Sequence, residues 1–325
     1  MQKAIAPFLI LMAASLLSTA QQNNPGIVKI RGTKLTYPLV EKWINEFSKE
    51  YPHIKVSIAA TAPADSIDFT IASYALTSTD LDANQASAVV SRYVQLPVAN
   101  SKRPDLATLQ STGITEKNLR NLFFSPSTPT FLPSAQTPTL YIRDRPVCAV
   151  KAFADHFGDN PKEIKGTGIK GDDSDLADAV RNDINGLSFN NLGFIYDSKT
   201  RKISDGLAVI PLDLNENGKI DKEEQIYGTL DSVIEFIEKT HHPKFITENV
   251  NFIFKKNSTN TNAGIFLYWV LTTGQQYHHQ LGFVSVDKTL ISEERTIISS
   301  AFNLNAASCE TTNDLMKKRK SNKPN

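Results

Sequence analysis

The chain has 325 residues, with 35 Lys and Arg against 34 Asp and Glu, and 40% of its residues are hydrophobic. This composition is typical of a folded globular protein and excludes a disordered or low-complexity chain. The balanced charge gives no reason to expect a nucleic-acid partner, and two cysteines are too few for a disulfide scaffold. The length is sufficient for one large domain or two of medium size.

The start of the chain, MQKAIAPFLILMAASLLSTA, has the pattern of a secretory signal peptide. Lys3 precedes an uncharged apolar stretch, and the small residues Ser18, Thr19 and Ala20 offer a cleavage site. We therefore predict a signal peptide over 1–20, with an uncleaved N-terminal anchor as the alternative. No later segment reaches the roughly 18 consecutive apolar residues of a membrane-spanning helix.

Strand and helix patterns alternate along the rest of the chain, which predicts an α/β architecture with a largely parallel sheet. Pro38 fits the first turn of the first helix, whose apolar residues recur at helical spacing up to Phe47. Predicted strands cover 27–30, 53–58, 67–72, 93–98, 139–142, 186–196, 250–254 and 282–286. Predicted helices cover 39–47, 116–123, 148–157, 174–181, 230–237, 263–271 and 292–302.

Three other features suggest no specific chemistry. The chain ends in KKRKSNKPN, and we predict a basic disordered tail over 311–325, with a partner-binding arm as the alternative. Cys148 and Cys309 either pair in an oxidising compartment or are isolated core residues. Neighbouring residues point to different faces of a helix, so we interpret the histidine pairs at 241–242 and 278–279 as solvated surface.

Three segments have features of an anion-binding site. The turn GTKLTYP, from Gly32 to Pro38, opens a helix and leaves backbone N–H groups facing a ligand. Ser73 and Arg143 each follow a predicted strand. Without the signal peptide and the cations of the tail, residues 21–316 carry a net charge of −5. A mildly acidic body binds an anion only through local donors, so the geometry around these segments decides the question.

Together and in this order, these features resemble the periplasmic phosphate-binding proteins, the substrate-binding components of phosphate ABC transporters. In the first half the resemblance rests on IRGTKLTYPLVEKWINEFSKEYPHIKVSI, where a turn of small residues leads through a proline into a helix with a Trp. In the second half it rests on GTGIKGDDSDLADAV, GLSFNNLGFIYDSKT, LAVIPLDLNENGKIDKEEQIYGTLD and FLYWVLTTGQQYHHQLGFVSV. These segments look like the branch of the family found in some Gram-negative bacteria.

The resemblance implies a two-lobed periplasmic-binding-protein fold of type II with a ligand cleft between the lobes. One lobe would comprise 25–98 plus 248–310, and the other 99–247. The lobes would close on phosphate or a similar oxyanion by hinge motion and deliver it to ABC transporter permease subunits. The location would be the periplasm of a Gram-negative bacterium, the role would not be enzymatic, and we expect a monomer.

The same resemblance implies a set of ligand-binding residues. Backbone N–H groups and hydroxyls would hold the anion together with an arginine, which suits bidentate contacts. Asn190 and Asn191 would border the cleft. The implied ligand-binding residues are Thr33, Leu35, Thr36, Ser73 and Arg143, with Arg145 as an additional cation.

The chain departs from the family pattern at two places near this set. The connection ATAPADSI that leads towards Ser73 is short, and DRPVC at 144–148 replaces a Ser- and Gly-rich loop. Pro146 removes an N–H donor there, and Asp144 adds a negative charge. The alternative function is therefore that of a divergent homologue with altered or no phosphate binding, acting as a sensory or interaction module. A secreted hydrolase is not expected, because no nucleophile-elbow or metalloprotease motif occurs.

Residues 213–224, DLNENGKIDKEE, match the calcium-loop pattern D-x-[DN]-x-[DN]-G-x5-E at every fixed position. Such loops surround a hard cation with oxygen atoms. Because the preceding run LAVIPL is typical of a strand, we predict a structural calcium site of the strand–loop–helix type in the second lobe, with a metal-free turn as the alternative. The predicted ligands are Asp213, Asn215, Asn217, Lys219 through its carbonyl, Asp221 and Glu224.

Overall fold

The computed structural model describes residues 26–126, 132 and 137–304. The predicted signal peptide at 1–20, the predicted tail at 311–325 and Cys309 lie outside the described residues. The strands are β1 (Gly26–Gly32), β2 (Ile54–Ile58), β3 (Phe69–Ala72), β4 (Gln85–Asn100), β5 (Thr139–Arg143), β6 (Thr167–Ile169), β7 (Gly186–Asn191), β8 (Leu207–Val209), β9 (Ile246–Lys255) and β10 (Phe283–Val284). The helices are α1 (Tyr37–Glu50), α2 (Leu106–Thr112), α3 (Glu116–Phe124), α4 (Cys148–Phe157), α5 (Asp173–Asn182), α6 (Leu192–Ile195), α7 (Leu230–Thr240), α8 (Thr261–Val270) and α9 (Lys288–Ala301).

The strands form one mixed sheet in the order β2-β1-β3-β9-β4-β7-β5-β6, with β8 and β10 also paired to β4. Pairing is parallel at its two ends, where β1 joins β2 and β3, and β5 joins β6 and β7. Every pairing of β4 is antiparallel, as is that of β3 with β9. The expectation of a largely parallel sheet is therefore wrong for the centre. Only 93–98 of β4 was predicted, because the small and polar residues of QASAVVSR do not show the apolar run of a buried strand.

The long strands β4 and β9 connect the two ends of this sheet. The first part of β4 pairs with β9 as far as Gln95, which lies opposite Ile246. From Gln95 to Ala99 it pairs with β7, and its last residues pair with β8. One continuous strand therefore belongs to both halves of the molecule.

Two large hydrophobic clusters mark the two lobes. The first gathers α1, α8 and α9 against β1, β3 and β9, and Trp43 at its centre is fully buried and donates from Nε1 to Gly274 O at 2.9 Å. The second is built around stacked Phe153 and Phe189, whose ring centroids are 3.7 Å apart. Along β4 the first cluster ends at Tyr93 and the second begins at Val94. The fold is thus mixed α/β with two cores.

Three local expectations are corrected. The strand predicted over 186–196 ends at Asn191 and gives way to α6, and the one over 282–286 is only Phe283–Val284. His278 was assigned to the surface but is fully buried, with its ring 5.7 Å from that of Trp43. Its neighbour His279 is exposed enough to pair with Glu238 at 2.8 Å. One residue points inward and the next points outward, so one histidine is buried and the other is not. Two consecutive histidines in a sequence do not reveal this difference.

No helix in the described ranges has the length and apolar character needed to cross a membrane.

Candidate ligand-binding cleft

A cavity of about 520 Å³ lies between the two lobes. The first lobe contributes the turn after β1 and the end of β3, and the second contributes the segment after β5 and the start of α5. Four of the six predicted ligand-binding residues line it: Thr33, Leu35, Arg143 and Arg145. The other two, Thr36 and Ser73, are buried behind the wall.

Gly32 lets the first-lobe turn come close to β3. It has a φ of 148°, and a Cβ at this position would lie 2.4 Å from Ile71 O. Any side chain would therefore push β1 away from its neighbour. Because β1 and β3 are parallel and both end here, the turn from Thr33 to Thr36 lies at the carboxyl edge of the sheet.

Most polar groups of this turn are bonded within the first lobe. The backbone N–H of Thr33 donates to Ile71 O at 3.3 Å, and the Thr36 hydroxyl donates to Thr33 O at 2.8 Å. The carbonyl of Ser73 accepts from the Tyr93 hydroxyl at 2.8 Å, whereas its own Oγ is fully buried and has no hydrogen-bond partner among the described residues. Thr36 therefore stabilises the turn and does not face the cavity.

Arg143, the last residue of β5, is the buried cation of the second wall. Its side chain donates to the carbonyls of Gly171 and Asp172, and only 4% of the residue is exposed. Its Nε has no partner in the described part of the chain. Arg145 differs, because its side chain is 70% exposed and lies 4.0 Å from Asp144.

Asp173, the first residue of α5, is a site residue that the sequence analysis missed. It lines the cavity, is only 6% exposed, and its carboxyl has its pKa raised to about 6. Burial is the main cause and the negative charge of Asp172 adds to it, while Arg143 acts in the opposite direction. The capping box of Asp172 and Asp175 was visible in DDSD, but a local motif does not show that the residue between its ends is buried.

Cys148, at the start of α4, brings a thiol from the second lobe against donors of the first. Burial raises its pKa, while the backbone N–H of Ser73 and the hydroxyl of Thr33 lower it by hydrogen bonding to the sulfur. These are two of the donors expected for an anion. Since Cys309 lies outside the described residues, its pairing with Cys148 stays a prediction.

Among the charged side chains that line the cavity, basic residues outnumber acidic ones. Lys34, Arg143, Arg145 and Lys151 stand against Asp172 and Asp173. Lys151 lies over the ring of Tyr74 at 4.4 Å, an arrangement in which the cation is attracted to the aromatic face. The cleft is thus locally positive on a body whose sequence is mildly acidic, which is the condition for anion binding by local groups.

Asn190 and Asn191 end β7 and are both buried. Asn190 supports the first cavity from behind, since its Nδ2 donates to Asp173 O at 2.8 Å. Asn191 lines a second cavity of about 330 Å³, and Leu35 lines both.

The loop at 213–224 is held by hydrogen bonds of its own. Asp213 accepts from Gly218 N at 2.8 Å, and Glu224 accepts from Leu214 N at 2.7 Å and from Asp221 N at 2.8 Å. Lys219 is paired with Asp221 at 2.7 Å. Across the described ranges, no group of three or more His, Cys, Asp or Glu residues is placed to hold a metal ion. Asn215 and Asn217 supply oxygens that such a grouping omits, so calcium stays a prediction.

The chain resembles known proteins in its fold and not in its sequence. No protein-family model matches it, and no curated protein sequence does. Among solved structures, it is similar to a putative phosphate ABC transporter substrate-binding protein with bound phosphate from Clostridium perfringens, with a TM-score of 0.63 and 11% identity over 80% of this chain and 100% of the other. An ABC-type phosphate transport receptor from Vibrio cholerae has a TM-score of 0.57 and 11% identity over 80% and 100%. A possible phosphate binding protein from Planctomyces limnophilus has a TM-score of 0.51 and 15% identity over 85% and 98%. These similarities confirm the two-lobed periplasmic-binding-protein fold of type II.

Proposed function

We propose that this chain is a periplasmic solute-binding protein that captures phosphate or a similar oxyanion between its lobes and delivers it to an ABC transporter. The observation that carries the proposal is the buried guanidinium of Arg143 on an interlobe cavity whose charged side chains are mostly basic. The signal pattern at 1–20 and the phosphate-binding neighbours of the fold support it.

Arg143 is suited to this role by its burial. A guanidinium kept out of water interacts more strongly with an anion than an exposed one does, and its planar N–H groups match two oxygens of a tetrahedral ion. Its Nε is buried and has no acceptor among the described residues, so a ligand oxygen would satisfy it. The carbonyls of Gly171 and Asp172 hold the rest of the side chain in place.

Asp173 would make the cleft sensitive to protons. An ionised carboxylate repels a fully ionised oxyanion but accepts a hydrogen bond from one that carries a proton. Phosphate carries a proton near neutral pH and sulfate does not. With its pKa raised to about 6, Asp173 would favour phosphate over sulfate above that pH and lose the preference below it.

A second candidate function is that of a divergent binding-protein homologue that does not bind phosphate and acts as a sensory or interaction module. The placement of Cys148 favours it, because the thiol occupies the Thr33 hydroxyl and the Ser73 N–H. Arg143 likewise already has two backbone acceptors. In this case the cleft would be closed by contacts of its own.

Titration of refolded, ligand-stripped protein with phosphate and with sulfate separates the two candidates. Oxyanion binding predicts a phosphate Kd of about 1 μM or tighter and a sulfate Kd at least about tenfold weaker at neutral pH. The absence of heat with both ions, checked by the absence of any shift in melting temperature, would favour the module without phosphate binding.

We also propose that the loop at 213–224 binds calcium weakly, with a Kd of about 0.1–1 mM as in extracellular modules. Calcium would add its binding energy to the folded state only, so about 10 mM calcium is expected to raise the melting temperature of the wild-type protein by a few degrees. The variant Glu224→Gln should lose this shift, and Glu235→Gln on α7 is the control. An equal shift in both variants, or none in the wild type, would contradict a metal site in this loop.

A further inference from the structure

The second interlobe cavity adjoins the first on both of its walls. In the first lobe, Leu35 lines both cavities. In the second lobe, Asp173 lines the first and the next residue, Ser174, lines the second. The two cavities are therefore neighbours that share the side chain of Leu35 as a common wall.

Asn191 gives the second cavity an unsatisfied polar group. The residue is only 3% exposed, and its Nδ2 is buried with no hydrogen-bond partner in the described residues. The Nδ2 of its neighbour Asn190 does have a hydrogen-bond partner, so the other amide at the end of β7 does not share this deficit. A buried amide donor without an acceptor is unfavourable, and a ligand oxygen in this cavity would remove the deficit.

The lining of the second cavity is part apolar and part polar, and its other polar side chains in the described ranges include no unpaired cation. Hydroxyls of Ser174, Ser198 and Ser204 line it together with Asn191. The guanidinium of Arg181, which also lines it, is bonded to Asp178 and to Asp205 O. Asp197 is likewise occupied, because its carboxylate accepts from the N–H groups of Lys199 and Thr200. Hydroxyl and amide groups can both donate to and accept from ligand hydroxyls, whereas the carboxylate of Asp197 disfavours a second anion.

The volumes also exceed the needs of a bare oxyanion. A water molecule occupies about 30 Å³ in the liquid, and a tetrahedral oxyanion is only a few times larger. The two cavities measure about 520 and about 330 Å³, which is the range of organic ligands.

We infer that the ligand is a phosphorylated polyol of the sugar-phosphate class, with its phosphoryl group at Arg143 and its hydroxyl-bearing part against Asn191. The inference rests on the proposed oxyanion site and names the kind of molecule that fills the adjoining cavity. It assigns Asn191 as a specificity-determining residue, because its Nδ2 would donate to a ligand hydroxyl.

The test compares three probes on the full-length mature chain: inorganic phosphate, ribose 5-phosphate and ribose. Ribose 5-phosphate is expected to bind at least about tenfold more tightly than phosphate, since the additional hydrogen bonds include one to a buried donor. Ribose alone is expected to bind far more weakly than either. In Asn191→Leu, which keeps the branched shape of the side chain but removes the amide, the ratio between the two phosphorylated probes should fall towards one. Asn84→Leu, on an exposed turn, is the matched control and should keep the ratio.

The outcomes separate this inference from the proposed function. If phosphate binds and ribose 5-phosphate binds no more tightly, the polyol site is wrong and the oxyanion site stands. If neither binds, both are wrong. An unchanged ratio in Asn191→Leu would also overturn the assignment of Asn191. If that variant does not fold, Ser204→Ala removes one lining hydroxyl, and its ratio should fall by about threefold, whereas an unchanged ratio would count against the polyol site.

Discussion

The two walls of the cleft differ in how far their polar groups already have hydrogen-bond partners. The first-lobe wall is a turn whose polar groups are mostly bonded within that lobe, as the Thr36 hydroxyl and the Thr33 N–H show. The second-lobe wall carries buried groups that still lack a full set of partners, namely Arg143 and Asn191, and a buried carboxyl, Asp173. The comparison suggests that the first lobe supplies shape and the second supplies most of the binding energy.

The most demanding test of this view compares the loss of phosphate affinity in Arg143→Gln with that in Arg145→Gln. Both residues line the cavity, but only Arg143 is buried. We expect Arg143→Gln to weaken phosphate binding by about 100-fold or more and Arg145→Gln by less than about threefold, because an exposed charge is screened by water. The measurement is a calorimetric titration of each variant. Equal losses would mean that burial does not set the contribution of the two cations.

The variant Asp173→Asn tests the second-lobe wall through the pH dependence of sulfate affinity. Below pH 6 the wild-type carboxyl becomes neutral, so sulfate should bind more tightly to the wild type at about pH 5 than at about pH 8. The variant has no charge to lose, and at about pH 8 we expect it to bind sulfate about tenfold more tightly than the wild type. The exposed Asp65→Asn serves as the control. A pH dependence of sulfate affinity that persists in Asp173→Asn would assign it to another group.

The same variant has a consequence for stability. The folded-state pKa of Asp173 is raised from 3.8 to about 6, so ionisation of the carboxyl opposes folding and stability is lost as the pH rises through 6. Asp173→Asn should therefore be more stable than the wild type at about pH 8 in urea unfolding, and the difference should disappear below about pH 4. A variant that is less stable at the higher pH would contradict the assigned direction.

Cys148→Ala tests whether the thiol competes with the ligand. Removing the sulfur frees the Thr33 hydroxyl and the Ser73 N–H, and phosphate affinity should rise by about fivefold. Cys148→Ser keeps a hydrogen-bonding atom in the same place and should change the affinity less. A loss of affinity in Cys148→Ala would show that the thiol supports the site and does not obstruct it.

The smallest effect is expected for Thr36→Val. Its hydroxyl bonds to Thr33 O within the turn, and the residue is almost fully buried away from the cavity. Phosphate affinity should change by less than about twofold, while stability falls by about 1 kcal/mol through the lost hydrogen bond. A large loss of affinity with unchanged stability would move Thr36 into the ligand-binding set and weaken the contrast between the two walls.

Local sequence patterns indicated two of the segments that line this cavity. The turn GTKLTYP before a helix and an arginine at the end of a strand are recognisable because each lies within a few residues of the element that positions it. Leu35, Thr33 and Arg143 accordingly reach one cavity. The two lobes followed from the resemblance carried by longer segments of the sequence.

The remaining features depend on contacts between distant parts of the chain. Asp173 acquires its raised pKa from burial, and this effect outweighs the opposing charge of Arg143, which lies 30 positions earlier in the sequence. Cys148 meets Thr33 and Ser73 only because the lobes face each other. The antiparallel centre of the sheet likewise arises from β4, whose first half lacks a clear strand pattern. Burial and pairing across such distances are not encoded in short motifs.

A crystal of the protein grown with arsenate tests the central claim most directly. Arsenate has the tetrahedral shape of phosphate and, like phosphate, carries a proton near neutral pH, and its arsenic atom gives an anomalous signal that identifies its position. The account predicts one strong peak in the interlobe cavity, with an oxygen within about 3 Å of Arg143 Nε. A peak elsewhere on the protein, or a cleft in which Arg143 keeps only the carbonyls of Gly171 and Asp172, would contradict it.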